Sequence, residues 1–236
     1  MKLTVEGIVI QCIRYSDHKL IVKMFCDQLG YKTCMARVSK RPTSSTLHLY
    51  QPLRIVEFET DFQEQNKFLS IHNPRLSVPL HNIGFDPVKT AMALFMNELL
   101  AITIADDYTN DHLFKFLKNS IVLLDDAINP NNFHLWWLIE LTRYYGFYPT
   151  KTEGMFFDLQ HAAFTNSKPP QPIALEPPLS DVLFNMLDLE WPQAQSLELN
   201  GAIRNQLLQA LIQFLRIHLD NLREIKSLDV LHAVFH

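Results

Sequence analysis

Between Gln28 and Val56 the chain carries no acidic side chain, yet it holds Lys32, Arg37, Lys40, Arg41 and Arg54 around a polar arm, Ser39-Lys-Arg-Pro-Thr-Ser-Ser-Thr46. Fixed positive charges interleaved with hydroxyls are the chemistry that grips phosphate. Lys32, Arg37, Lys40 and Arg41 supply charge, while Ser39, Thr43, Ser44 and Ser45 offer neutral hydrogen bonds to the same oxygens. Tyr15, Tyr31 and Tyr50 are close enough in sequence to stack bases beside them. The bland alternative is a cluster that only solubilises an edge strand, which is the more frequent outcome for cations beside a turn. The missing acids tilt the balance toward binding.

Other candidates are weaker. His232 and His236 have the i, i+4 spacing of two zinc ligands on a helix, but no His-Glu-x-x-His signature accompanies them and no third ligand is evident, so a structural role is expected. His218 lies on the apolar face of a helical pattern and reads as a residue at the core boundary. There is no Gly-x-Ser-x-Gly elbow and no Gly-rich phosphate loop, and the chain has six glycines in all. Asp106-Asp107 and Asp125-Asp126 are paired carboxylates at predicted helix ends, where solvated charge is the common outcome; a two-metal nuclease built on them is a minor expectation. Trp136-Trp137 with Phe133, Tyr144, Tyr145, Phe147 and Tyr148 is mostly expected to be core. Its exposed part, Trp137 with Arg143 or Arg216, is a candidate pocket for an acidic-aromatic peptide tail.

The elements that must position these groups differ between the two ends of the chain. Residues 1–80 hold 11 Lys/Arg against 7 Asp/Glu, whereas residues 81–236 hold 10 against 18. A basic module within a protein of net charge −4 can still neutralise a polyanion locally. With 47% hydrophobic and 19% charged residues in 236, the composition is that of a folded protein with a sizeable core. The longest apolar stretch, Met92 to Ala105, is broken by Asn97 and Glu98, and the start lacks the apolar core of a signal peptide, so a cytoplasmic location is expected. Cys12, Cys26 and Cys34 are odd in number and sit on alternating segments, which predicts free thiols facing a core.

Strands are predicted at Val5–Ile13, Lys19–Cys26, Tyr31–Val38, Leu49–Thr60 and Lys67–Arg75, with Asp27-Gln-Leu-Gly30 as a turn. Five strands in roughly 75 residues suggest a small closed barrel; a basic face and one long loop fit an OB-fold, although the pattern alone does not separate it from an SH3-like barrel. From Asp86-Pro87 the texture turns helical, with predicted helices to about Ala105, from Asn110 or Asp111 to Asp125, and from an Asn131 cap to Tyr145 before Gly146; these three are expected to share a core. Residues 147–178 are proline-rich and predicted irregular, with a short hairpin near Phe156–Phe164. Helices resume after Ser180, Asn200 and Ser227. The expected class is α+β: an OB-fold domain over residues 1–80 and a mostly α-helical domain over 81–236.

In order and spacing, several segments resemble the bacterial recombination mediator family RecO. They are Gly7-Ile-Val-Ile10, Tyr15-Ser-Asp-His-Lys-Leu-Ile-Val22, Phe25, Gly30, Ala36-Arg-Val-Ser-Lys40 and Tyr50-Gln-Pro-Leu-Arg-Ile-Val-Glu-Phe-Glu59. Arg216-Ile-His-Leu219 and Ile225-Lys-Ser-Leu-Asp-Val-Leu231 are similar to that family's ending. The resemblance implies a non-enzymatic protein without catalytic residues or cofactor. Such a protein binds single- and double-stranded DNA, anneals complementary strands, and works with RecR to help load RecA onto DNA coated by single-strand-binding protein. It places Arg37 and Lys40 on the family's DNA-binding segment; Arg14, Lys19, Lys32 and Arg41 join them here from local charge. Many relatives carry a four-cysteine zinc site after Gly-x-x-Pro. Here Gly146-Phe-Tyr-Pro149 is followed by Thr150-Lys-Thr-Glu-Gly154 without cysteine, so no zinc is expected. Where the family has Arg-Gly this chain has Arg37-Val38, which puts main-chain contact to phosphate in doubt. Competing expectations are an OB-fold RNA chaperone or regulator, the metal-dependent nuclease, and a pure protein adaptor.

Overall fold

In a computed structural model the described residues are 1–39, 47–63, 65, 67–104, 108–170, 173–220 and 222–235. The polar arm from Lys40 to Thr46, including Arg41, therefore lies outside them, as do Asp106, Asp107 and His236.

The alternation of apolar and polar residues builds five strands: β1 (Lys2–Ser16), β2 (Lys19–Cys26), β3 (Gly30–Arg37), β4 (Ile55–Asp61) and β5 (Leu69–Leu76). They close into a barrel in the order β1-β2-β3-β5-β4, with β1 antiparallel to both β2 and β4 and a short parallel contact between β3 and β5. This is the OB-fold arrangement, and it decides against the SH3-like alternative. One strand can serve two neighbours because β1 is long. Its first half, Lys2 to Ile8, pairs with β4, and its second half pairs with β2 across irregularities at Val9/Gln11 and Arg14/Ser16 that bend it. β4 begins six residues later than the expected strand from Leu49. In place of a strand, Leu53 adopts a left-handed φ of 61° and bonds its N–H to the Val9 carbonyl at 2.8 Å.

Val5, Val9, Leu20, Val22, Met24, Val56, Phe58 and Leu69 fill the barrel, with Cys26, Cys34 and Tyr50 among them. All three cysteines are free thiols, and Cys26 and Cys34 are buried. A hydrogen bond from Cys34, then burial, pushes the Cys26 thiol well above its ordinary value, which makes it a poor nucleophile.

Two helices belong with the barrel: α1 (Pro87–Thr103) and α2 (Asp111–Asp126). Asp86 caps α1 by accepting from the Val88 and Lys89 amides, with Pro87 in the first turn. Asn110 Oδ1 accepts from the Leu113 amide at 2.9 Å at the start of α2. Phe25 of β2 meets Phe114 of α2 at 6.2 Å between centroids, and Lys118 Nζ reaches both Glu6 carboxylate oxygens at 2.7 Å.

By contacts the chain divides into two compact units, Met1–Asp125 and Asp126–His236. The expected three-helix core is thereby divided: α1 and α2 fall in the first unit, and the third helix in the second. The change of composition at Asp86-Pro87 marks where the barrel ends and helices begin.

The second unit holds α3 (Phe133–Tyr145), a small sheet of β6 (Phe156–Asp158), β7 (Ala163–Thr165) and β8 (Ala174–Leu175), then α4 (Leu179–Met186), α5 (Trp191–Ser196), α6 (Gly201–His218) and α7 (Ser227–Val234). Gly146 ends α3 in the left-handed conformation at φ 85°, as its position predicts. The cap of α3 is Asn132 rather than Asn131, and its side chain turns inward instead of onto the helix. There it donates to the Ala194 and Leu197 carbonyls at 3.0 and 2.7 Å and accepts from Arg204 at 3.2 Å. Among the described residues no helix is long and apolar enough to cross a membrane.

Candidate nucleic-acid interface

β2 and β3 run in unbroken antiparallel register, so each residue has a fixed partner and a fixed face. Leu20, Val22, Met24 and Cys26 point into the barrel, leaving Lys19, Ile21, Lys23 and Phe25 on its outer surface. On β3 their partners are Arg37, Met35, Thr33 and Tyr31. β1 extends the rows, since Ile13 pairs with Ile21 and Gln11 with Lys23. The outer face is therefore stepped. Lys19 and Arg37 form one row, Ile13, Ile21 and Met35 an apolar row beside it, and Gln11, Lys23 and Thr33 the next. Phe25 and Tyr31 end the series under the helices. Lys19 and Lys23 are four residues apart, about 13 Å along the strand at roughly 3.3 Å per residue.

This sorts the cations read from the sequence. Lys19 and Arg37 are brought together, and Arg37 is exposed. Lys32 is five residues from Arg37 on the same regular strand, hence on the opposite face; it pairs with Met24 and lies near the Cys26 thiol. Arg14 is exposed on the projecting end of β1, but it pairs with the inward-facing Leu20 and so belongs to the opposite face from Lys19. Arg54 is removed from the surface, with 9% exposure and its Nη1 donating to the Leu80 carbonyl at 3.2 Å. Lys40 and Arg41 lie outside the described residues. The residue that sequence reasoning missed is Lys23, whose only signal was its period-two spacing from Lys19.

The expected base-stacking tyrosines need correcting. Tyr31 and Tyr50 are 6% and 3% exposed, and burial pushes the Tyr50 hydroxyl up to about 12. Only Tyr15 of the three is exposed, because it lies in the hairpin beyond the barrel. Next to Lys23 a groove of about 670 Å³ opens between β1, the segment before β4, and α1; Gln11, Tyr31, Gln51, Asn97 and Glu98 line it.

The carboxylates proposed for metal chemistry are otherwise engaged or undescribed. Asp125 is 3% exposed and accepts from the His81, Asn82 and Ile83 amides, each at 2.8 Å, while Lys89 Nζ donates to its backbone carbonyl at 2.6 Å. Burial opposes its ionisation, but the three amides and the Lys89 charge outweigh it and hold the pKa below the ordinary value. Its role is to clasp residues 81–83. Among the described residues no three His, Cys, Asp or Glu side chains gather in a group that could hold a metal ion.

In the second unit the candidate pocket loses a member, because Trp137 is fully enclosed and offers no surface to a partner. Arg143 and Arg216 are exposed on α3 and α6. Arg143 is held by Glu140 at 2.9 Å and lies 3.3 Å from the Tyr148 ring centroid. His218 stacks on Phe147 at 4.7 Å and bonds the Leu159 carbonyl at 2.8 Å, the boundary role its position predicts. His232 bonds Gln209 at 2.9 Å.

Two family profiles cover the chain: Recombination protein O N terminal over residues 1–76 and Recombination protein O C terminal over residues 84–229. The chain is 32% identical to the DNA repair protein RecO of Bacteroides fragilis over 236 residues, 97% of each chain. It is 31% identical to the protein of that name from Flavobacterium psychrophilum over 240 residues, the whole of both chains. A closed OB-fold barrel with a cationic β2–β3 face, followed by helices, and similarity along the whole length lead to one conclusion: the chain belongs to the RecO family and has a role in DNA repair.

Proposed function

We propose that this protein is a non-enzymatic recombination mediator that holds DNA by its phosphates on the outer face of β2 and β3. The observation that carries the reading is the Lys19–Arg37 cross-strand pair, with Lys23 on the same face. The face formed by strands 2 and 3 is where OB-folds take oligonucleotides. Lys40 and Arg41 follow β3 in sequence and extend the cationic supply. Phosphate-led binding holds a strand while leaving most base edges free to find a complement, which annealing requires; stacking every base would oppose pairing. The burial of Tyr31 and Tyr50 agrees with a surface that does little stacking. Lys19, Lys23, Arg37, Lys40 and Arg41, if each meets one phosphate of a single strand, give a salt slope of about −3.5 at ~0.7 per phosphate.

The acidic remainder of the chain is assigned to proteins: RecR, and the acidic tail of single-strand-binding protein, for which Arg143 and Arg216 are the candidate cations. In this reading the protein acts in the bacterial cytoplasm on single- and double-stranded DNA, and with RecR it aids RecA loading. The test is annealing of complementary oligomers coated with single-strand-binding protein, with and without the chain. Acceleration that is lost on reversing the charges of Lys19 and Arg37 is expected. Annealing at the uncatalysed rate would overturn the reading, and Mg²⁺-dependent cleavage of the strands would replace it with the nuclease.

A further inference from the structure

Just after the barrel a tightly bonded turn holds an aromatic ring out in solvent. The Asp125 carboxylate fixes the His81, Asn82 and Ile83 amides, the Phe85 and Asp86 amides donate to the Asn82 carbonyl at 2.9 and 3.0 Å, and Thr90 Oγ1 donates to the Ile83 carbonyl. Asp86 then caps α1. Between that clasp and that cap the Phe85 side chain is 89% exposed, the one exposed phenyl ring among the described residues. Ile83 and Gly84, the residues just before it, help to wall an apolar opening of about 130 Å³ together with Leu53, Leu80, Ala93 and the half-exposed Leu94. An apolar cavity of about 150 Å³ takes up benzene, so this opening has the size of one phenyl ring. A projecting ring and a ring-sized recess thus stand side by side on one face, and apolar surface left in water is the usual mark of a contact site.

We propose that this face joins two copies of the chain about a two-fold axis, the Phe85 ring of each seated in the recess of the other. A two-fold contact uses one patch twice, so a patch fits its own copy when it holds both a projection and the matching recess. Such a patch also sets each charge near the axis against its like, which costs binding. Here there is little charge to oppose: from Leu76 to Phe85 the chain has no Lys, Arg, Asp or Glu. Among the residues lining the recess Arg54 alone is charged, and it is 9% exposed with Nη1 on the Leu80 carbonyl. The recess therefore offers little cation to a phosphate or an acidic tail, and a neutral aromatic partner suits it best. Each ring buries about 150–250 Å², so two rings with their recess walls fall short of the roughly 1,200 Å² at which stable interfaces begin. The pair is accordingly weak and depends on concentration.

The test is sedimentation equilibrium of the full chain from about 1 µM to about 1 mM, a range that brackets weak association. The average mass is expected to rise from 27.5 kDa toward twice that value. Phe85→Ala removes the projection, and Leu94→Glu sets a carboxylate at the recess. Both positions are exposed, so each variant should keep the circular dichroism of the parent. Alone, each variant should associate at least about thirtyfold more weakly. Mixed in equal amounts they should pair more tightly than either does with itself, because the ring of the Leu94→Glu copy still finds an intact recess on the Phe85→Ala copy. A mass of 27.5 kDa at every concentration would overturn the proposal and leave the recess to a different protein. Association that Phe85→Ala does not weaken, or a mixture no tighter than its components, would overturn it too, by placing the contact elsewhere. No oligonucleotide enters these measurements, so their outcome is independent of the DNA reading above.

Discussion

Lys19 and Arg37 are direct partners across the β2–β3 ladder, so two cations occupy adjoining positions on one outer face of the barrel. Like charges set opposite each other destabilise a sheet. Under the proposed phosphate-led reading, a polyanion laid across them would remove that cost. Replacing both with glutamate should therefore leave the barrel folded and reduce the salt slope of single-strand binding from about −3.5 to about −2.1, at ~0.7 per phosphate lost. Titration of a labelled oligomer at several salt concentrations reads this directly, with circular dichroism to confirm the fold. An unchanged slope would take these two residues out of the interface. The matching change at Lys32, on the opposite face, should move the slope by less than one contact.

Asp125 and the 81–83 segment give a stability prediction with a pH signature. Asp125→Asn exchanges one amide-accepting oxygen for a donor against the His81 to Ile83 amides and should cost about 3 kcal/mol, the scale of charge-assisted bonds lost from a buried site. The folded carboxyl titrates below its unfolded value of roughly 3.9, so its contribution is present above that pH and is lost as the pH falls through the folded value. Denaturant unfolding of the two proteins should differ most at pH 6 and converge toward pH 3. A constant difference over that range would mean that the charge is not what the three amides hold.

Gly30 sets a steric prediction. Its φ is 70°, and a Cβ there would stand 2.2 Å from the Tyr108 carbonyl oxygen, which also accepts from the Tyr31 amide at 3.1 Å. Gly30→Ala should destabilise the first unit by about 2–4 kcal/mol through the left-handed backbone and the clash together. Protection of the Tyr31 amide from hydrogen exchange should fall with it. Retained protection at wild-type stability would show that the 108 segment yields freely.

These residues also mark what the sequence makes legible. Lys19 to Cys26 reads as a strand, and is one, because its alternation is clean; the turn at Gly30 and the stop at Gly146 follow from glycine's tolerance of positive φ. The grouping of cations was harder. Lys32, Arg37 and Arg54 are neighbours in a stretch without acids, yet strand parity sends Lys32 to one face and Arg37 to the other, and Arg54 folds its guanidinium onto Leu80. Composition counts charges without regard to face, whereas Lys23 could have been found by stepping four residues along β2 from Lys19. The clasp of Asp125 on His81, Asn82 and Ile83 spans more than forty residues, and no local pattern announces it. The enclosure of Trp137 is not legible in the sequence, because α3 is apolar on nearly every side and periodicity does not single out which aromatic is buried.

His134 supplies the last prediction. It is fully buried on α3, and neither ring nitrogen has a hydrogen-bond partner. Burial, then the charges of Arg204 and His232, lower its pKa to about 3. In the unfolded chain a histidine titrates near 6.5, so between that pH and the folded value the unfolded state binds a proton that the native state refuses. Stability from this residue is therefore full above about pH 6.5 and declines as the pH falls, by up to ~1.4 kcal/mol per unit. His134→Leu removes the titration and the unpartnered nitrogens while filling similar space beside Phe235, which lies 5.2 Å from the imidazole between ring centroids. The variant should be at least as stable as the parent at pH 7.5 and increasingly more stable toward pH 4.5, as read by thermal unfolding across that range. A gap that stays the same at every pH would show that the buried imidazole is not the group on which acid acts.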